Sequence, residues 1–405
     1  MERTPQELDL PRTAPVPCPC CATRATHPLL VERAPVPTLQ NTALASREEA
    51  RAFPAASLAM AQCQTCSFVW NAAFSDDLIR YDESYDNDVS GSAYYRAHLE
   101  ARADAILDAI PADTPIHYVE IGCGEADFMV LLMRRAGGRV VSATGFDPSF
   151  SGRVALPEGA VVHRDFFTAA SHALIPQAAN VICSRHTIEH IAAPRPFAAT
   201  LAGILTRPDQ RLFVETPIVD WIFAQTAFFD FFFEHCSLFN PASMGRMFAE
   251  YGLSGPIVPV YGGQYMWAEL RRGDVPAGGD AEAVRAARTL AARYVAEADA
   301  RMAHWTREVA AARASGGRVG IWGAASKGVT FALLLDQAGE APDFAIDVNP
   351  GKQGRHMPLT GLRIDPPGAV GLTDRDTVIV MNPNYLEEIR ADLAAMGTAP
   401  RLLAF

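Results

Sequence analysis

The sequence lacks the features that would place the protein in a membrane or on nucleic acid. Its 405 residues contain no apolar run close to the roughly 20 residues that a membrane-spanning helix needs. Asp and Glu number 46 against 35 Lys and Arg, and the formal net charge of -11 gives no general attraction to phosphate backbones. The stretch 1–17 is polar and has no apolar signal core. We therefore expect a cytoplasmic protein that binds neither membranes nor nucleic acid.

The composition also excludes wholesale disorder and a single small domain. Hydrophobic residues make up 49% of the chain and charged residues 20%, which provides enough apolar material for sizeable cores. A chain of this length exceeds what one hydrophobic core supports, and length alone suggests roughly two to four domains. Several globular parts are therefore expected along the sequence.

Cysteine is sparse beyond residue 66 and concentrated before it. CPCC at 18–21 and CQTC at 63–66 hold five of the eight cysteines. In a reducing compartment two such pairs indicate a metal rather than disulfides, since each pair places two thiolates on one tight turn. A redox dithiol is the alternative, but it would not require the second pair. The ligands predicted for a structural, tetrahedral zinc site are Cys18, Cys21, Cys63 and Cys66, with Cys20 left over.

The most informative turn of the sequence follows an apolar strand. IHYVEIGCGEADFMVLLMRRAG at 116–137 is a strand, a glycine-bearing turn and a helix, the order in which a nucleotide-like cofactor meets a doubly wound sheet. Gly122 and Gly124 allow the cofactor to approach the backbone. The spacing from Glu120 to these glycines resembles motif I of the class I S-adenosylmethionine methyltransferases, with Ala126 in the place of the usual third glycine.

Three further strand ends agree with a cofactor of this kind. RVVSATGFDPS carries Asp147 at the distance where an acidic side chain grips two ribose hydroxyls. AVVHRDFF places Asp165 beside Phe166, as adenine-binding edges do. NVICSRHTIEHI brings His186, Glu189 and His190 after an apolar strand and resembles the fourth methyltransferase motif. A dehydrogenase is disfavoured, because the glycine turn is not G-x-G-x-x-G and no second nicotinamide-specific feature is found.

The C-terminal third carries a second unit of the same kind. Helix-spaced apolar residues predict one long amphipathic helix over 281–313 that bridges two domains. It leads into RVGIWGAASKGVTFALLL, another strand, turn and helix, in which Lys327 lies near the helix start. A helix N-terminus beside a lysine suits a phosphate, and a purely structural turn is the alternative. We therefore expect a further small α/β domain.

The aromatic segment FFDFFFEH at 228–235 places Glu234 and His235 beside five phenylalanines. A packed core would explain the phenylalanines, but adjacent Glu and His are seldom buried without partners. An active-site wall explains both halves, because an apolar lining excludes water and shifts a His or Glu toward the working pH of an acid or base. The segment predicts a general acid or base, with a structural ion pair as the alternative.

Together these segments resemble the three-domain C-methyltransferases that modify nucleotide-linked deoxysugars. The resemblance covers nearly the whole chain and rests on the paired CxxC motifs, VEIGCGEADF, ETP before the aromatic segment, YGGQYMWAEL, IWGAASKG and DVNPGKQGRHMP. It implies an α/β fold, in which a class I methyltransferase Rossmann-like sheet is flanked by a small N-terminal zinc-binding lobe and a C-terminal Rossmann-like α/β domain. The implied parts are a flexible lead at 1–17, the zinc lobe at 18–75, the S-adenosylmethionine-binding domain at 76–272, and the linker helix with a sugar-nucleotide-binding domain at 273–405.

The resemblance also implies catalytic residues. His235 would be the base that removes a proton beside the keto group of the sugar, with Glu234 as its partner and His190 as a second candidate. Phe232 and Leu238 stand where the family usually has tyrosines. The donor that holds the enolate oxygen is therefore open among Tyr85, His186 and His190.

The remaining expectations concern binding and activity. The residues implied to bind the substrate are Tyr85, His186, Gly262, Gly263, Lys327 and Lys352. Those implied to bind S-adenosylmethionine are Glu120, Gly122, Gly124, Asp147, Asp165 and Phe166. The expected activity is C-methylation of a nucleotide-linked keto-deoxysugar through base-assisted enolate formation, by a monomer or a dimer. O- or N-methylation of a related sugar or small molecule, and non-catalytic binding of the cofactor or sugar nucleotide, are the alternatives.

Overall fold

The structure is a computed structural model that describes residues 13–14, 16–79, 92–274 and 280–405. Within these ranges the chain folds into three sheets, one for each globular part predicted from the sequence. The predicted site residue Tyr85 lies outside the described residues. None of the helices in these ranges is long and apolar enough to cross a membrane.

The N-terminal lobe is an antiparallel sheet with one short helix. Its elements are β1 (Thr13–Ala14), β2 (His27–Pro37), α1 (Arg47–Arg51), β3 (Ala55–Gln62) and β4 (Val69–Asn71). The strands pair in the order β1, β2, β3, β4. Strands β2 and β3 are antiparallel, and Leu29 near the start of β2 pairs with Ala61 near the end of β3. The turn before β2 and the turn after β3 therefore lie at the same end of the sheet. The two CxxC pairs occupy these two turns.

The middle domain is a doubly wound sheet. Its strands are β5 (Ile116–Ile121), β6 (Val140–Phe146), β7 (Ala160–His163), β8 (Val181–Arg185), β9 (Arg211–Pro217), β10 (Ser237–Leu238), β11 (Leu253–Ser254), β12 (Ile257–Val260) and β13 (Tyr265–Arg272). Its helices are α2 (Ala93–Ala109), α3 (Asp127–Arg135), α4 (Pro194–Ile204), α5 (Val219–Ala224) and α6 (Pro241–Ala249).

The strand order of this sheet confirms the predicted fold. The strands lie in the order β11, β13, β9, β8, β5, β6, β7, with β12 also on β13, whereas β10 joins β4 in the sheet of the N-terminal lobe. Strands β5 to β9 are parallel, and β13 runs antiparallel to β9. The central strands β5 and β8 are almost wholly buried, as parallel strands covered by helices on both faces must be. The carboxyl ends of the parallel strands therefore meet at one edge.

The C-terminal domain begins with the long helix that the sequence predicts. Helix α7 (Ala281–Ala314) is capped by Asp280, whose carboxylate accepts from two backbone N–H groups of the first turn. The elements that follow are β14 (Val319–Trp322), α8 (Ser326–Gln337), β15 (Phe344–Ile346), β16 (Ile364–Asp365), β17 (Thr377–Val380), α9 (Leu386–Ala395) and β18 (Arg401–Ala404). The strands pair in parallel in the order β16, β15, β14, β17, β18. The second α/β unit is therefore confirmed.

The aromatic segment 228–235 joins all three parts of the molecule. Four of its phenylalanines belong to a core that also contains residues of β2, β3, α7 and the C-terminal sheet. The ring centroids of Phe229 and of Phe405, in the C-terminal domain, lie 4.1 Å apart. The prediction that the five phenylalanines wall an active site is therefore wrong for these four, because packing between domains buries them. Phe232 alone among the five lines a cavity.

Candidate active site

Four cysteine sulfurs converge at one edge of the N-terminal lobe. Cys18 Sγ lies 3.7 Å from Cys66 Sγ, and Cys21 Sγ lies 3.6 Å from Cys63 Sγ. All four sulfurs lie within 4.8 Å of one another. A tetrahedral ion with Zn–S bonds of about 2.3 Å has sulfurs roughly 3.8 Å apart, so the spacing fits closed four-thiolate coordination. Cys20 points elsewhere, and its Sγ contacts a backbone oxygen of the middle domain.

The two cysteine turns share one backbone conformation. The carbonyl of Cys18 accepts from Ala22 N–H at 2.8 Å, and the carbonyl of Cys63 accepts from Ser67 N–H at 3.0 Å. Ala22 and Ser67 both adopt a left-handed backbone, with φ of 57° and 61°. Both turns therefore close with the same hydrogen bond and the same left-handed residue. As a result the two pairs of thiols, which are far apart in the sequence, converge on one position.

The turn between β5 and α3 leaves room for a ligand. Gly122 and Gly124 adopt φ of 72° and 53°, where a side chain would be strained. A Cβ on Gly122 would lie 2.0 Å from Thr187 Oγ1, so a larger residue does not fit. A Cβ on Gly124 would meet no atom within 4 Å, so this residue borders open space.

Asp147 follows β6 and is hydrogen-bonded to this turn. Its Oδ2 accepts from Gly124 N–H at 2.8 Å, and its Oδ1 accepts from the N–H and the hydroxyl of Ser149 at 2.8 and 2.6 Å. A carboxylate can accept about four hydrogen bonds, so a further one remains possible. Phe166 follows β7, beside Asp165 in the sequence, and this residue is 62% exposed. Such an exposed ring suits contact with a planar base.

Glu120 is the buried acid beneath the turn. Its side chain is 2% exposed, and its Oε2 has no hydrogen-bond partner in the described part of the chain. Burial raises the pKa of Glu120 to about 8. A buried polar atom without a partner calls for a donor from outside the protein, and the ammonium group of S-adenosylmethionine is such a donor. The residues of this turn therefore fit that cofactor.

A cavity of about 590 Å³ lies between the middle and C-terminal domains. Its middle-domain wall includes His186, Glu189, His190, Phe232 and His235. Its C-terminal wall includes Gly323, Ser326, Lys327, Asp347, Lys352 and Asn382. The carboxyl edges of two sheets thus border one space. In α/β folds this edge is where ligands bind.

Two histidines meet on the middle-domain wall. The rings of His190 and His235 have centroids 4.8 Å apart and lie edge to face. One ligand atom of each, together with a carboxylate oxygen of Glu189, lies within 4.8 Å of the others. Burial lowers the pKa of His235 to about 3 and also lowers that of His190. Both imidazoles are therefore neutral at pH 7 and keep a lone pair, but burial moves their pKa away from the working pH rather than toward it, so a nearby negative charge is needed to stabilise the protonated form.

Glu189 stands between the two histidines in the sequence, where no role was predicted for it. It is 1% exposed, and its Oε2 accepts the hydroxyl of Thr216 at 2.9 Å while its Oε1 lies 3.4 Å from His186 Nδ1. Burial would raise its pKa, but the hydrogen bond with His186 and the charges of His190 and His235 bring it to about 2. Glu189 is therefore ionised. The signal was present in HTIEH, where an acid stands between two histidines after an apolar strand.

A second buried acid, Glu215 in β9, supports the wall from behind. Its Oε2 accepts from Arg185 Nε at 2.6 Å, and its Oε1 lies 2.5 Å from His98 Nε2. Burial would raise the pKa of Glu215, but the charge of Arg185 and the contact with His98 hold it well below its usual range. His186 lies against the same carboxylate, with its Nε2 3.9 Å away. A glutamate inside the apolar strand RLFVETP was the sequence signal for this network.

The lowered pKa of His235 predicts a stability that falls as the pH falls. An unfolded histidine titrates near 6.5, so between about pH 6.5 and 3 the unfolded state binds more protons than the folded state does. From pH 6.5 to 5 we expect the wild type to lose about 1–2 kcal/mol more unfolding free energy than His235→Asn loses. Urea unfolding of both proteins at pH 7.5, 6.5 and 5 measures this difference. Parallel pH curves for the two proteins would contradict it.

Three predicted residues lie off the cavity wall. Glu234 is fully buried, and its Oε1 accepts from Gln40 N–H of the N-terminal lobe at 3.2 Å. Gly262 and Gly263 form a tight turn before β13, and the neighbouring Gln264 reaches the cavity instead. The residues that follow them in the chain, His235 after Glu234 and Gln264 after Gly263, line the cavity instead.

The two predicted lysines have different surroundings. Lys327 Nζ lies 3.0 Å from Asp230 Oδ2 and 4.6 Å from the ring centroid of Trp221, and it donates to Gln264 Oε1 at 2.7 Å. It therefore ties α8 to the aromatic segment. Lys352 is 3% exposed, and its Nζ donates to Asn41 Oδ1 at 3.4 Å. No carboxylate of the described residues pairs with this buried ammonium group, which leaves it suited to an anionic ligand.

Two family matches cover the middle and C-terminal domains. Residues 95–255 match the family described as a methyltransferase domain. Residues 280–400 match the family described as the C-methyltransferase C-terminal domain. No curated protein matches the sequence.

Solved structures resemble parts of the chain at low sequence identity. A putative S-adenosylmethionine-dependent methyltransferase from Listeria monocytogenes is 10% identical over 44% of this chain and 99% of that chain, with a TM-score of 0.34. Magnesium protoporphyrin IX methyltransferase from Synechocystis PCC 6803, with bound SAH, is 13% identical over 46% of this chain and 90% of that chain, with a TM-score of 0.34. The riboflavin-derivative dimethyltransferase RosA from Streptomyces davawensis is 14% identical over 42% of this chain, with a TM-score of 0.35, and the match spans 53% of its length.

Both family matches fall on domains whose sheets border the cavity. The first of them contains the glycine turn with Glu120 and Asp147, which fits the cofactor that such domains use. The chain is accordingly an S-adenosylmethionine-dependent methyltransferase, and its residues 280–400 match the family described as the C-methyltransferase C-terminal domain.

Proposed function

We propose that the protein methylates a carbon atom of a nucleotide-linked keto-deoxysugar. The observation that carries this proposal is the cavity. Two neutral histidines, His190 and His235, line one wall, and the carboxyl ends of the parallel strands of the C-terminal sheet, where nucleotides bind in α/β folds, line the other. Carbon is a poor nucleophile until a base removes a proton beside a carbonyl group, so the histidine wall suits C-methylation. The opposite wall suits the nucleotide that carries the sugar.

S-adenosylmethionine would lie at the turn between β5 and α3. When bound, it supplies an electrophilic methyl group on a sulfonium ion. Glu120 would accept from its ammonium group, Gly124 would let it approach the backbone, and Asp147 would hold its ribose. The exposed ring of Phe166 and the neighbouring Asp165 would contact its adenine.

The Asp147 assignment predicts a loss of cofactor affinity. Asp147→Ala removes a charge-assisted hydrogen bond to the ribose, worth roughly 1.5–3 kcal/mol before water compensates. We expect binding of S-adenosylmethionine, measured by calorimetry, to weaken at least tenfold. Asp147→Asn loses the charge but keeps an amide oxygen that can accept from Gly124 N–H and preserve the turn, so it should weaken binding less than Asp147→Ala does. Unchanged affinity in Asp147→Ala, or binding of a nicotinamide cofactor instead, would show that the site is misplaced.

His235 would act as the base. Its neutral ring takes the proton from the carbon beside the keto group, and the electrons of the broken C–H bond move to the keto oxygen. The enolate carbon would then form a bond to the methyl group as the bond from that methyl group to the sulfonium sulfur breaks, and a neutral thioether would leave. The imidazolium ion left on His235 lies next to the ionised Glu189, which lowers the cost of charge in this buried place. His190 and His186 reach the same wall and are the described candidates for holding the enolate oxygen.

Lys352 would hold the diphosphate that links sugar and nucleotide. Its ammonium group is buried, borders the cavity and lacks a carboxylate partner among the described residues. Lys327 would contribute less, because Asp230 already neutralises it. From the sequence, the phosphate contact is predicted at Lys327, near the start of α8.

A structural zinc ion would hold the N-terminal lobe together. The four thiols of Cys18, Cys21, Cys63 and Cys66 leave no open coordination position, so the ion would have no part in the chemistry. The lobe matters to the site because β4 pairs with β10, which begins two residues after His235. Trp70 and Ser237 are paired residues in that ladder.

Methyl transfer to a panel of nucleotide-linked ketosugars tests the proposal. The assay would follow the label of methyl-labelled S-adenosylmethionine and locate it in the product by NMR. We expect the label on a carbon next to the keto group. A product methylated on oxygen or nitrogen would support the alternative chemistry instead. Binding of the sugar nucleotide without any transfer would indicate a non-catalytic protein.

A further inference from the structure

Three ligand atoms of the kinds that hold transition metals converge on the middle-domain wall of the cavity. They belong to Glu189, His190 and His235, and they all lie within 4.8 Å of one another. Glu189 and His190 lie in a short 3₁₀ turn after β8, and His235 ends the aromatic segment. Two imidazoles and one carboxylate form a ligand set typical of divalent transition metals. We call these three residues the histidine–carboxylate site, to separate it from the four cysteines.

The separation of the two imidazole rings fits coordination to one ion. A histidine nitrogen bonded to zinc lies about 2.1 Å from the metal, and the ring centroid lies roughly 1.1 Å further along the same line. Two such rings have centroids about 4.6 Å apart when their bonds meet at a right angle, and about 5.3 Å apart at the tetrahedral angle. The centroids of His190 and His235 lie 4.8 Å apart, which is between these two values.

Two of the three ligands are already oriented by partners behind them. Glu189 Oε2 accepts the hydroxyl of Thr216 at 2.9 Å. The ring of His190 donates to the backbone carbonyl of Glu234, and a neutral imidazole that donates from one nitrogen keeps a lone pair on the other. Metal-binding carboxylates and histidines almost always have such partners, which fix the tautomer and the orientation of the ligand.

The third ligand, His235, faces the cavity. Its ring has no hydrogen-bond partner in the part of the chain that the structure describes, so an ion that enters the cavity can reach it. His186 is close but is poorly placed as a ligand, because its Nδ1 lies 3.4 Å from Glu189 Oε1 and its Nε2 is buried. The ammonium group of Lys327 would repel a cation, but Asp230 Oδ2 lies 3.0 Å from it and offsets its charge.

Three protein ligands leave coordination positions open toward the cavity. One carboxylate and two neutral rings also bring much less negative charge to an ion than four thiolates do. An ion at the histidine–carboxylate site is therefore held more weakly than zinc on the four cysteines. Purification removes it, and it binds again when the metal is supplied.

We infer that Glu189, His190 and His235 bind a divalent transition-metal ion such as Zn²⁺ or Co²⁺, and that the bound ion reversibly stops methyl transfer. The ion takes the lone pair with which His235 would accept the proton of the substrate, so the enolate cannot form while the ion is bound. The metal site itself does not depend on the proposed function. The inhibition rests on it, because His235 is the base only in that mechanism.

Titration with Co²⁺ tests the site without any substrate. The protein would first be given one equivalent of zinc to fill the four-cysteine site, because the visible spectrum of Co²⁺ then reports the ligands of the second ion. We expect one further equivalent to bind, with the weak bands of nitrogen and oxygen ligands. An intense sulfur-to-metal charge-transfer band would place that ion on cysteines and overturn the inference. Failure of both Co²⁺ and Zn²⁺ to bind as a second equivalent would also overturn it.

Variants identify the ligands and their outer partner. Glu189→Gln and His235→Asn should each weaken Co²⁺ binding by more than about 100-fold, because each removes one of three ligands. Thr216→Val keeps the shape of the side chain but removes the hydroxyl that orients Glu189, so binding should weaken roughly 10- to 100-fold. Unchanged affinity for S-adenosylhomocysteine would show that each variant is folded. Co²⁺ binding that persists in folded Glu189→Gln and His235→Asn would overturn the inference.

His186→Asn is the matched control on the same wall. Asparagine can still donate to Glu189, so the affinity for Co²⁺ should change by less than about threefold. A loss as large as that in His235→Asn would make His186 a ligand and overturn the assignment of the three residues.

Methyl transfer in the presence of the ion separates this inference from the proposed function. On a ketosugar that the protein methylates, Zn²⁺ should inhibit at the concentrations that fill the second site, and dialysis should restore activity. Full activity with that site occupied would overturn the inhibition and remove His235 as the base, while methyl transfer itself would stand. Absence of methyl transfer to every ketosugar would overturn the proposed function and not the metal site, which the Co²⁺ titration supports or overturns alone.

Discussion

Replacing His235 with asparagine is expected to lower turnover by roughly 10²–10⁴, the usual scale of a general base. Asparagine keeps a polar side chain but cannot take a proton, whereas the natural imidazole is neutral and lies beside the ionised Glu189, which stabilises the imidazolium that forms. Single-turnover methyl transfer at saturating substrate measures this loss. The affinity for S-adenosylmethionine and the thermal midpoint at pH 7.5 should barely change.

The matched control for this experiment is His304→Asn, since His304 is exposed on α7 and borders no part of the cavity wall. This variant should turn over like the wild type. A second test uses hydrogen–deuterium exchange at the carbon beside the keto group, with S-adenosylhomocysteine in place of the methyl donor. His235→Asn should slow that exchange as much as it slows transfer. Near wild-type exchange would remove the base assignment, and His190 would be the next residue to replace.

Loss of the metal is expected to unfold the N-terminal lobe and abolish activity. Structural zinc sites contribute about 10–16 kcal/mol of apparent binding energy, far more than a small sheet can replace. We expect one zinc per chain by elemental analysis, and none after replacement of both Cys63 and Cys66 by serine. Hydrogen exchange over 16–79 should then become fast. Activity should fall because β4 no longer supports β10 and, through it, His235.

Cys20→Ala is the control for the metal prediction. Its Sγ contacts a backbone oxygen of the middle domain, and it is not one of the four converging thiols. Metal content should therefore be unchanged in this variant. Protein purified without chelators that holds no stoichiometric metal, and in which the four converging thiols all react with a thiol reagent, would rule out the zinc site.

Features that depend on a regular spacing of apolar residues, or on a turn that needs glycine, could be predicted from the sequence. Helix α7 follows from apolar residues at helical spacing, because a solvent-facing helix needs only one buried stripe. The strand–turn–helix units at β5 and β14 follow from apolar runs that end in glycine, since few residues tolerate those turns. The cysteine spacing likewise predicted which four thiols converge.

The aromatic segment shows where such prediction fails. The sequence pattern of five phenylalanines beside Glu234 and His235 fits an active-site wall and a packed core equally well, because hydrophobicity does not indicate what a side chain packs against. Packing against α7 and the C-terminal sheet draws four of them into a core shared by three domains. The same packing turns Glu234 toward Gln40 and leaves His235 at the cavity with His190.

The sequence alone determined the fold class, the zinc-type cysteine set and the cofactor turn of this protein, because each depends on residues whose spacing is set by one turn or one strand. The tertiary structure decided which side chains meet across those units. Glu189 and Glu215 became site residues only when strand ends of one sheet were brought together around His186. Lys352 was already implied to bind the substrate, but its burial on the same cavity wall as Asp347 follows only from the packing of the C-terminal sheet. Contacts of this kind depend on how domains pack, and the chain separation between the partners leaves no local pattern from which to read them.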